Sequence, residues 1–141
     1  MNKSHIKAKI GVIGAGAWGS ALAQIWAQAG QEVTLWTRHQ ETAEAIRSTR
    51  RVTGLPGIQI DTRIVVTSDF SDIQSCDLAV YALPAQVLRP FLKEHALAPA
   101  QALVIASKGI EVATGALLPD IAAAVCPDHV VAVLSGPNIA I

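Results

Sequence analysis

The run Gly14-Ala15-Gly16-Ala17-Trp18-Gly19 sets three glycines at the spacing G-x-G-x-x-G. A lone match of this kind says little. Here an apolar run of strand length precedes it, a stretch with helical periodicity follows, and a second strand begins about 20 residues on. In that context each glycine has a job. Gly14 permits a tight turn, Gly16 leaves the backbone open to a pyrophosphate, and Gly19 lets the helix lie close on the strand. The start of the helix offers N–H groups without acceptors and a partial positive charge, both suited to phosphate. The chemistry implied is dinucleotide binding. Trp18 either stacks near that ligand or closes the core.

The end of the second strand bears on which dinucleotide. A site for NAD usually places Asp or Glu there to accept from the ribose 2′-hydroxyl. This chain has Leu35-Trp36-Thr37-Arg38-His39, with no carboxylate before Glu41. Arg38 stands where a planar guanidinium would pair with a 2′-phosphate. The expected cofactor is NADP(H), with NAD(H) as the second choice. The alternative role for Arg38 is a solvated loop charge.

The elements that must position these residues are legible as alternating apolar runs and helical stretches. Lys9–Ile13, Glu32–Thr37, Ile64–Thr67, Leu78–Leu83, Ala102–Ala106 and Val130–Leu134 read as strands. Trp18–Ala29, Gln40–Arg51, Asp69–Gln74, Gln86–His95 and Gly115–Val125 read as helices. In the first helix Trp18, Leu22, Ile25, Trp26 and Ala29 have helical spacing, and Gly30 ends it. Residues 52–63, with Gly54, Pro56 and Gly57, read as loop. Most of the strands are continuous apolar runs, as expected for strands covered on both faces. The fold class is α/β: a doubly wound parallel sheet, a Rossmann fold with at least six strands.

Composition narrows the function. Of 141 residues 51% are hydrophobic and 16% charged, and eleven acidic residues balance eleven basic ones. The only like-charge pair of note is Arg50-Arg51, so no nucleic-acid partner is expected. No run approaches the roughly 18 apolar residues of a membrane span, and no signal-peptide pattern precedes the glycine turn. The expectation is a cytoplasmic protein with no integral membrane segment. Cys76 and Cys126 are far apart and read as buried free thiols. No metal-ligand spacing and no Ser/His/Asp order is present. His5 and His129 have no evident partner, His95 ends a helix, and Asp69 and Asp72 read as cap and solvated face. The chain ends on Ile139-Ala140-Ile141 just after a strand, so residues 1–141 are expected to be the front part of something larger.

Four segments together resemble one family. They are Gly14-Ala15-Gly16-Ala17-Trp18-Gly19-Ser20-Ala21-Leu22-Ala23, Val33-Thr34-Leu35-Trp36-Thr37-Arg38, Ala106-Ser107-Lys108-Gly109-Ile110-Glu111 and Leu134-Ser135-Gly136-Pro137-Asn138-Ile139-Ala140. The chain resembles the N-terminal domain of the bacterial NAD(P)-dependent glycerol-3-phosphate dehydrogenases. The first two segments are shared with related reductases; the last two are the specific ones. The resemblance implies reduction of dihydroxyacetone phosphate to sn-glycerol 3-phosphate, a precursor of phospholipids. It implies dinucleotide contacts from Ala17, Trp18, Arg38, His39, Pro84, Lys108 and Ala140, beside Gly14, Gly16 and Gly19 of the turn. Lys108, Gly136 and Asn138 would lie at the substrate. The family usually has Ser or Thr at the position of Asn138 and often an aromatic at Ile139. Its catalytic lysine belongs to a later helical domain, so no catalytic residue is expected within residues 1–141. A homodimer is implied for the full-length protein. Three alternatives stay open: the cofactor domain of a related reductase such as ketopantoate reductase, a non-catalytic dinucleotide-binding module, and a plain structural or interaction domain.

Overall fold

The computed structural model describes residues 6–135, which build one sheet of six parallel strands. In chain order they are β1 (Lys9–Ile13), β2 (Glu32–Trp36), β3 (Val65–Thr67), β4 (Leu78–Tyr81), β5 (Ala102–Ile105) and β6 (Val131–Val133). The order across the sheet is β3-β2-β1-β4-β5-β6. Register is set by pairs such as Val12 with Leu35 and Val12 with Val80. The chain therefore runs outward in one direction from β1, then crosses back to β4 and runs outward in the other. β1 and β4 flank the point where the direction reverses, and ligands of open α/β sheets bind at the carboxyl ends of the strands there.

The helices are α1 (Ala17–Gln28), α2 (Gln40–Thr49), α3 (Ser71–Gln74), α4 (Leu88–Glu94) and α5 (Leu118–Val125), with a 3₁₀ turn at Ala85–Val87. Successive strand residues point to opposite faces, which divides the core in two. On one face Ile10, Val12, Val33, Leu35 and Val80 pack with Leu22 and Ala23 of α1, Ala43 and Ile46 of α2, and Val52, Ile60 and Ile64 of the following loop. On the other, Ile13, Trp36, Tyr81, Leu103 and Ile105 pack with Ile73, Leu88, Phe91, Leu118 and Ile121 of α3, α4 and α5. The doubly wound parallel arrangement expected from the continuous apolar runs is present.

Three details depart from expectation. The buried stripe of α1 is Gly19, Ser20, Leu22, Ala23 and Ala27, whereas Ile25 is 57% exposed. Leu22 faces the core as its spacing predicts, and the small residues Gly19, Ser20, Ala23 and Ala27 share that side because the helix lies so close to the glycine turn. The last helix begins at Leu118 rather than Gly115, which takes a positive φ of 73° and closes a turn instead. The last strand is not covered on both faces: Val133 is 54% exposed and Val130 72%. It is the outer strand of the sheet, with β5 as its one strand partner among the described residues.

The ends of α1 follow local rules. Gly30 takes φ 86°, its N–H reaches the Ala27 carbonyl at 3.0 Å, and Gln31 N–H reaches the Trp26 carbonyl at 3.0 Å. This paired closure is the usual glycine termination of a helix. Asp69, expected to cap α3, accepts from Ser71 N–H at 2.9 Å just before the helix. Cys76 and Cys126 are free and buried, and burial pushes both thiols up from their ordinary pKa. No helix of the described residues is long and apolar enough to cross a membrane.

Candidate functional site

The glycine turn leads from β1 into α1 at the carboxyl edge of the sheet. Gly14 N–H donates to the Trp36 carbonyl at 2.9 Å, and Gly14 sits at φ 115°, a conformation that side chains strain. A Cβ on Gly19 would stand 2.0 Å from the Gly14 carbonyl oxygen, so α1 touches the turn backbone to backbone. Gly16 is different: a Cβ there would meet no protein atom within 4 Å. It faces open space at the start of α1. That helix has no side-chain cap and no acidic residue in its first turn. Its first-turn N–H groups have no intrahelical acceptor, by helix geometry. A polar, anion-seeking cradle with a clear approach is therefore built from backbone alone.

Around the cradle the ends of β4 and β5 converge. Ala82 N–H donates to the Ile13 carbonyl and Ala106 N–H to the Tyr81 carbonyl, both at 2.9 Å, so the three strands end level. The buried Tyr81 hydroxyl donates to the Pro84 carbonyl at 2.9 Å, and burial raises its pKa. Ser107 Oγ donates to the Leu83 carbonyl at 2.5 Å. Trp18, 45% exposed, reaches from α1 to the Ala106 carbonyl through its indole Nε1 at 2.9 Å. It lines the site instead of filling the core. Gly16, Ala17, Trp18, Pro84 and Lys108, singled out in the sequence, meet with Ser107 in one cleft of about 580 Å³. Lys108 is exposed, and no carboxylate lines this cleft.

A second cleft, of about 430 Å³, adjoins the first across Leu83 and Pro84, which line both. Trp36, Arg38, Phe91 and His95 are among its walls. Phe91 and His95 stack with ring centroids 4.3 Å apart, and Trp36 meets Phe91 edge-on at 5.5 Å. Arg38 makes no ion pair among the described residues. His39 precedes α2 without capping it and lines neither cleft. Gly14 and Gly19 shape the turn from behind. Gly136, Asn138 and Ala140 lie outside the described residues.

A cleft of comparable size, about 510 Å³, opens at the opposite end of the sheet near Lys7, Lys9 and Arg63. Its charges are largely spent on one another or close by: Lys7 pairs with Glu32 at 3.0 Å and Arg63 with Asp61 at 2.6 Å. It lies away from the Gly14–Gly19 turn, at the amino ends of the strands, so the carboxyl-end clefts are the functional candidate. No group of three His, Cys, Asp or Glu among the described residues is placed to hold a metal.

Sequence reasoning missed the α4 wall of the second cleft and the loop that meets the glycine turn. A Cβ on Gly54 would stand 2.8 Å from Ala17 N, so this loop lies directly against the start of α1. The glycine-rich composition of residues 52–57 was the signal. Nothing local marks Phe91 or His95 as part of a site, since both read as ordinary helix residues.

Comparison with known proteins fits this geometry. Residues 9–141 match the family model described as NAD-dependent glycerol-3-phosphate dehydrogenase N-terminus. The chain belongs to this family. A glycerol-3-phosphate dehydrogenase [NAD(P)+] of Caulobacter vibrioides is 45% identical over 136 residues, covering 94% of this chain and 41% of that protein. The corresponding enzyme of Rhodospirillum rubrum is 43% identical over 135 residues, covering 93% of this chain and 39% of the relative. The chain thus spans about two fifths of the length of these relatives. The crystal structure of glycerol-3-phosphate dehydrogenase from Coxiella burnetii superposes with a TM-score of 0.82 at 23% identity, over 93% of this chain and 41% of that one. A putative 2-dehydropantoate 2-reductase from Enterococcus faecalis superposes less closely, with a TM-score of 0.65 at 24% identity, over 89% of this chain and 40% of that one. At these identities the structural matches speak to fold. The family rests on the sequence matches, which favour the dehydrogenase over the ketopantoate reductase alternative.

Proposed function

We propose that this chain is the cofactor-binding part of an oxidoreductase that reduces dihydroxyacetone phosphate to sn-glycerol 3-phosphate with NADPH or NADH. The observation that carries the reading is the convergence of the open Gly16 cradle, Trp18, Pro84 and Lys108 at the carboxyl ends of β1, β4 and β5. The residues present fit a dinucleotide. The backbone around Gly16 takes the pyrophosphate, and the aromatic-floored second cleft with Arg38 takes a planar base and its ribose. The first cleft, roofed by Trp18, takes the nicotinamide end.

When bound, a reduced nicotinamide supplies the hydride that the reaction needs. The chain's own residues hold, orient and shield. Trp18 and Pro84 wall the reacting end against water. The Lys108 ammonium, lining the same cleft, reaches both the bound dinucleotide and the substrate, where it balances phosphate or polarises the substrate carbonyl. The proton donor for the developing alkoxide, and residues that close on the substrate phosphate, belong on this reading to a later helical region of the longer protein. A homodimeric assembly of that protein and a cytoplasmic setting, in which the free thiols Cys76 and Cys126 stay reduced, complete the proposal.

Titration of the chain with NADPH and with NADH, followed by tryptophan fluorescence, tests it. NADPH is expected to bind more tightly than NADH. Arg38→Ala should weaken NADPH about tenfold, the scale of one lost charge-assisted contact, and leave NADH unchanged. Absence of binding by either dinucleotide refutes the proposal. Equal binding of the two, unaffected by Arg38→Ala, refutes the role of Arg38.

A further inference from the structure

Lys108 lies on a segment that the fold pins on both sides. Before it, Ser107 is tied to the Leu83 carbonyl. After it, the 3₁₀ turn and α4 reach out with two side chains. Gln86 donates from Nε2 to the Ile110 carbonyl at 2.7 Å and accepts from Val112 N–H through Oε1 at 2.9 Å. Arg89 pairs side-on with Glu111, Nε to Oε1 at 2.8 Å and Nη2 to Oε2 at 2.9 Å. Glu111 is only 8% exposed, and it also accepts from the Thr114 hydroxyl. Beyond it, residues 110–117 close on themselves: Ile110 bridges to Leu117, and Glu111 N–H donates to the Ala116 carbonyl at 2.9 Å.

This is more anchoring than a surface turn needs. The turn at 110–117 already closes locally, and Gln86 adds the pair of backbone bonds a neighbouring strand would make. A two-bond guanidinium–carboxylate fork fixes direction as well as distance. Between the Ser107 tie and the Gln86 and Arg89 ties lie only Lys108 and Gly109. Gly109 sits at φ 120°, and a Cβ there would stand 3.2 Å from Ala85 Cβ, so the backbone is pressed against the 3₁₀ turn. The one long side chain on the pinned span is Lys108, an exposed residue that lines the first cleft.

We infer that Gln86 and the Arg89–Glu111 pair form a clamp whose function is to position the Lys108 ammonium over the cleft; this rests on the dinucleotide reading of that cleft. Gln86, Arg89 and Glu111 are positioning residues, acting through Lys108 and touching neither cofactor nor substrate.

The test is a double-substitution cycle read as the NADPH dissociation constant of the chain, with melting temperature as a control on folding. Lys108→Met should weaken NADPH about tenfold, the scale of one charge-assisted contact. Arg89→Met and Glu111→Gln should each weaken it several-fold, Arg89→Lys less, because a point charge keeps part of the pairing. Gln86→Ala, at an exposed position where folding is not at stake, should act in the same direction. In the Lys108→Met background all four should change the dissociation constant less than twofold, since an effect that passes through Lys108 vanishes with it. A merely structural role predicts the same fold-change in both backgrounds, and that additivity overturns the clamp. NADPH binding that Lys108→Met leaves unchanged overturns it too, while sparing the dinucleotide reading. No NADPH binding by the unsubstituted chain overturns both.

Discussion

Alanine at two of the three turn glycines should separate binding from folding. At Gly19 a Cβ would stand 2.0 Å from the Gly14 oxygen, about 1.4 Å inside the 3.4 Å at which ordinary contact begins. Both partners are backbone, so no side chain can swing aside. Overpacking of this kind costs about 1–3 kcal/mol where neighbours yield, and here the start of α1 must leave the sheet, so about 3 kcal/mol or more is expected. That corresponds to a fall in melting temperature of about 10 °C. At Gly16 the backbone is at φ −75° and ψ −176°, open to any residue, and a Cβ meets no protein atom within 4 Å. Alanine is a poorer residue than glycine before a helix, yet it stiffens the unfolded chain; these effects nearly offset within about 1 kcal/mol. The methyl group would instead occupy the space a pyrophosphate needs. Displacing a phosphate oxygen from even one N–H removes a charge-assisted bond of about 1.5–3 kcal/mol, a 10- to 100-fold loss in affinity. Thermal melts and NADPH titrations of both variants decide the matter. A Gly16→Ala chain that folds normally and binds NADPH as tightly as its parent refutes the placement of the phosphates. A Gly19→Ala chain with an unchanged melting temperature refutes the backbone contact.

Other expectations follow from the same geometry. Gln101 is 3% exposed, donates to the Ile73 and Cys76 carbonyls at 2.6 and 3.0 Å, and accepts from Ala98 N–H at 3.1 Å. Gln101→Leu should cost about 2–4 kcal/mol in denaturant unfolding, because buried backbone groups lose their partners. It should leave NADPH affinity alone, as the site is at the other end of β5. Trp18→Phe keeps a ring over the cleft but drops the indole bond to Ala106; a stability loss of about 1 kcal/mol is expected, and an unchanged melting curve would count against that bond. The Arg89 guanidinium, aided by the Thr114 hydroxyl, holds the Glu111 carboxyl down from its ordinary 4.5 to about 2. A carboxyl lowered on folding lends stability that is complete above its unfolded value and is lost as pH falls toward the folded one. Melting temperature should therefore drop between about pH 4.5 and 2, and Arg89→Met should make that drop shallower; identical pH profiles would show that the pair is not the cause.

Much of the frame was legible because parallel strands buried on both faces leave long apolar runs, and the glycine turn has a spacing tied to a single geometry. The limits have physical causes. An apolar run does not distinguish an inner strand from an edge, so Val131–Val133 read as buried although its outer face is open. Apolar periodicity along α1 found Leu22 but also pointed to Ile25, which is exposed, while close approach to the sheet brings the small residues Gly19, Ala23 and Ala27 to the buried side. Pairwise contacts across the fold leave no local trace at all. Trp36 and Phe91, which meet edge-on, lie on a strand and a helix with two other strands between them in the chain.

The same limit explains why the short segment after β4 drew attention only through Pro84. Leu83 and Pro84 form the ridge between the two clefts and line both of them. The ridge is held from below by the Tyr81 hydroxyl on the Pro84 carbonyl and from the side by Ser107 on the Leu83 carbonyl. A compact ligand would use one cleft and leave the other idle. A ligand with two flat ends joined by an anionic link would use both. Gly16 with the unpartnered N–H groups of α1 supplies the one anion cradle beside the first cleft, and Arg38 supplies the cation at the second. Two adjoining clefts that share the Leu83–Pro84 ridge, with the Gly16 backbone at the first and Arg38 beside Glu94 at the second, therefore suit a ligand with two flat ends and an anionic link better than a small acid.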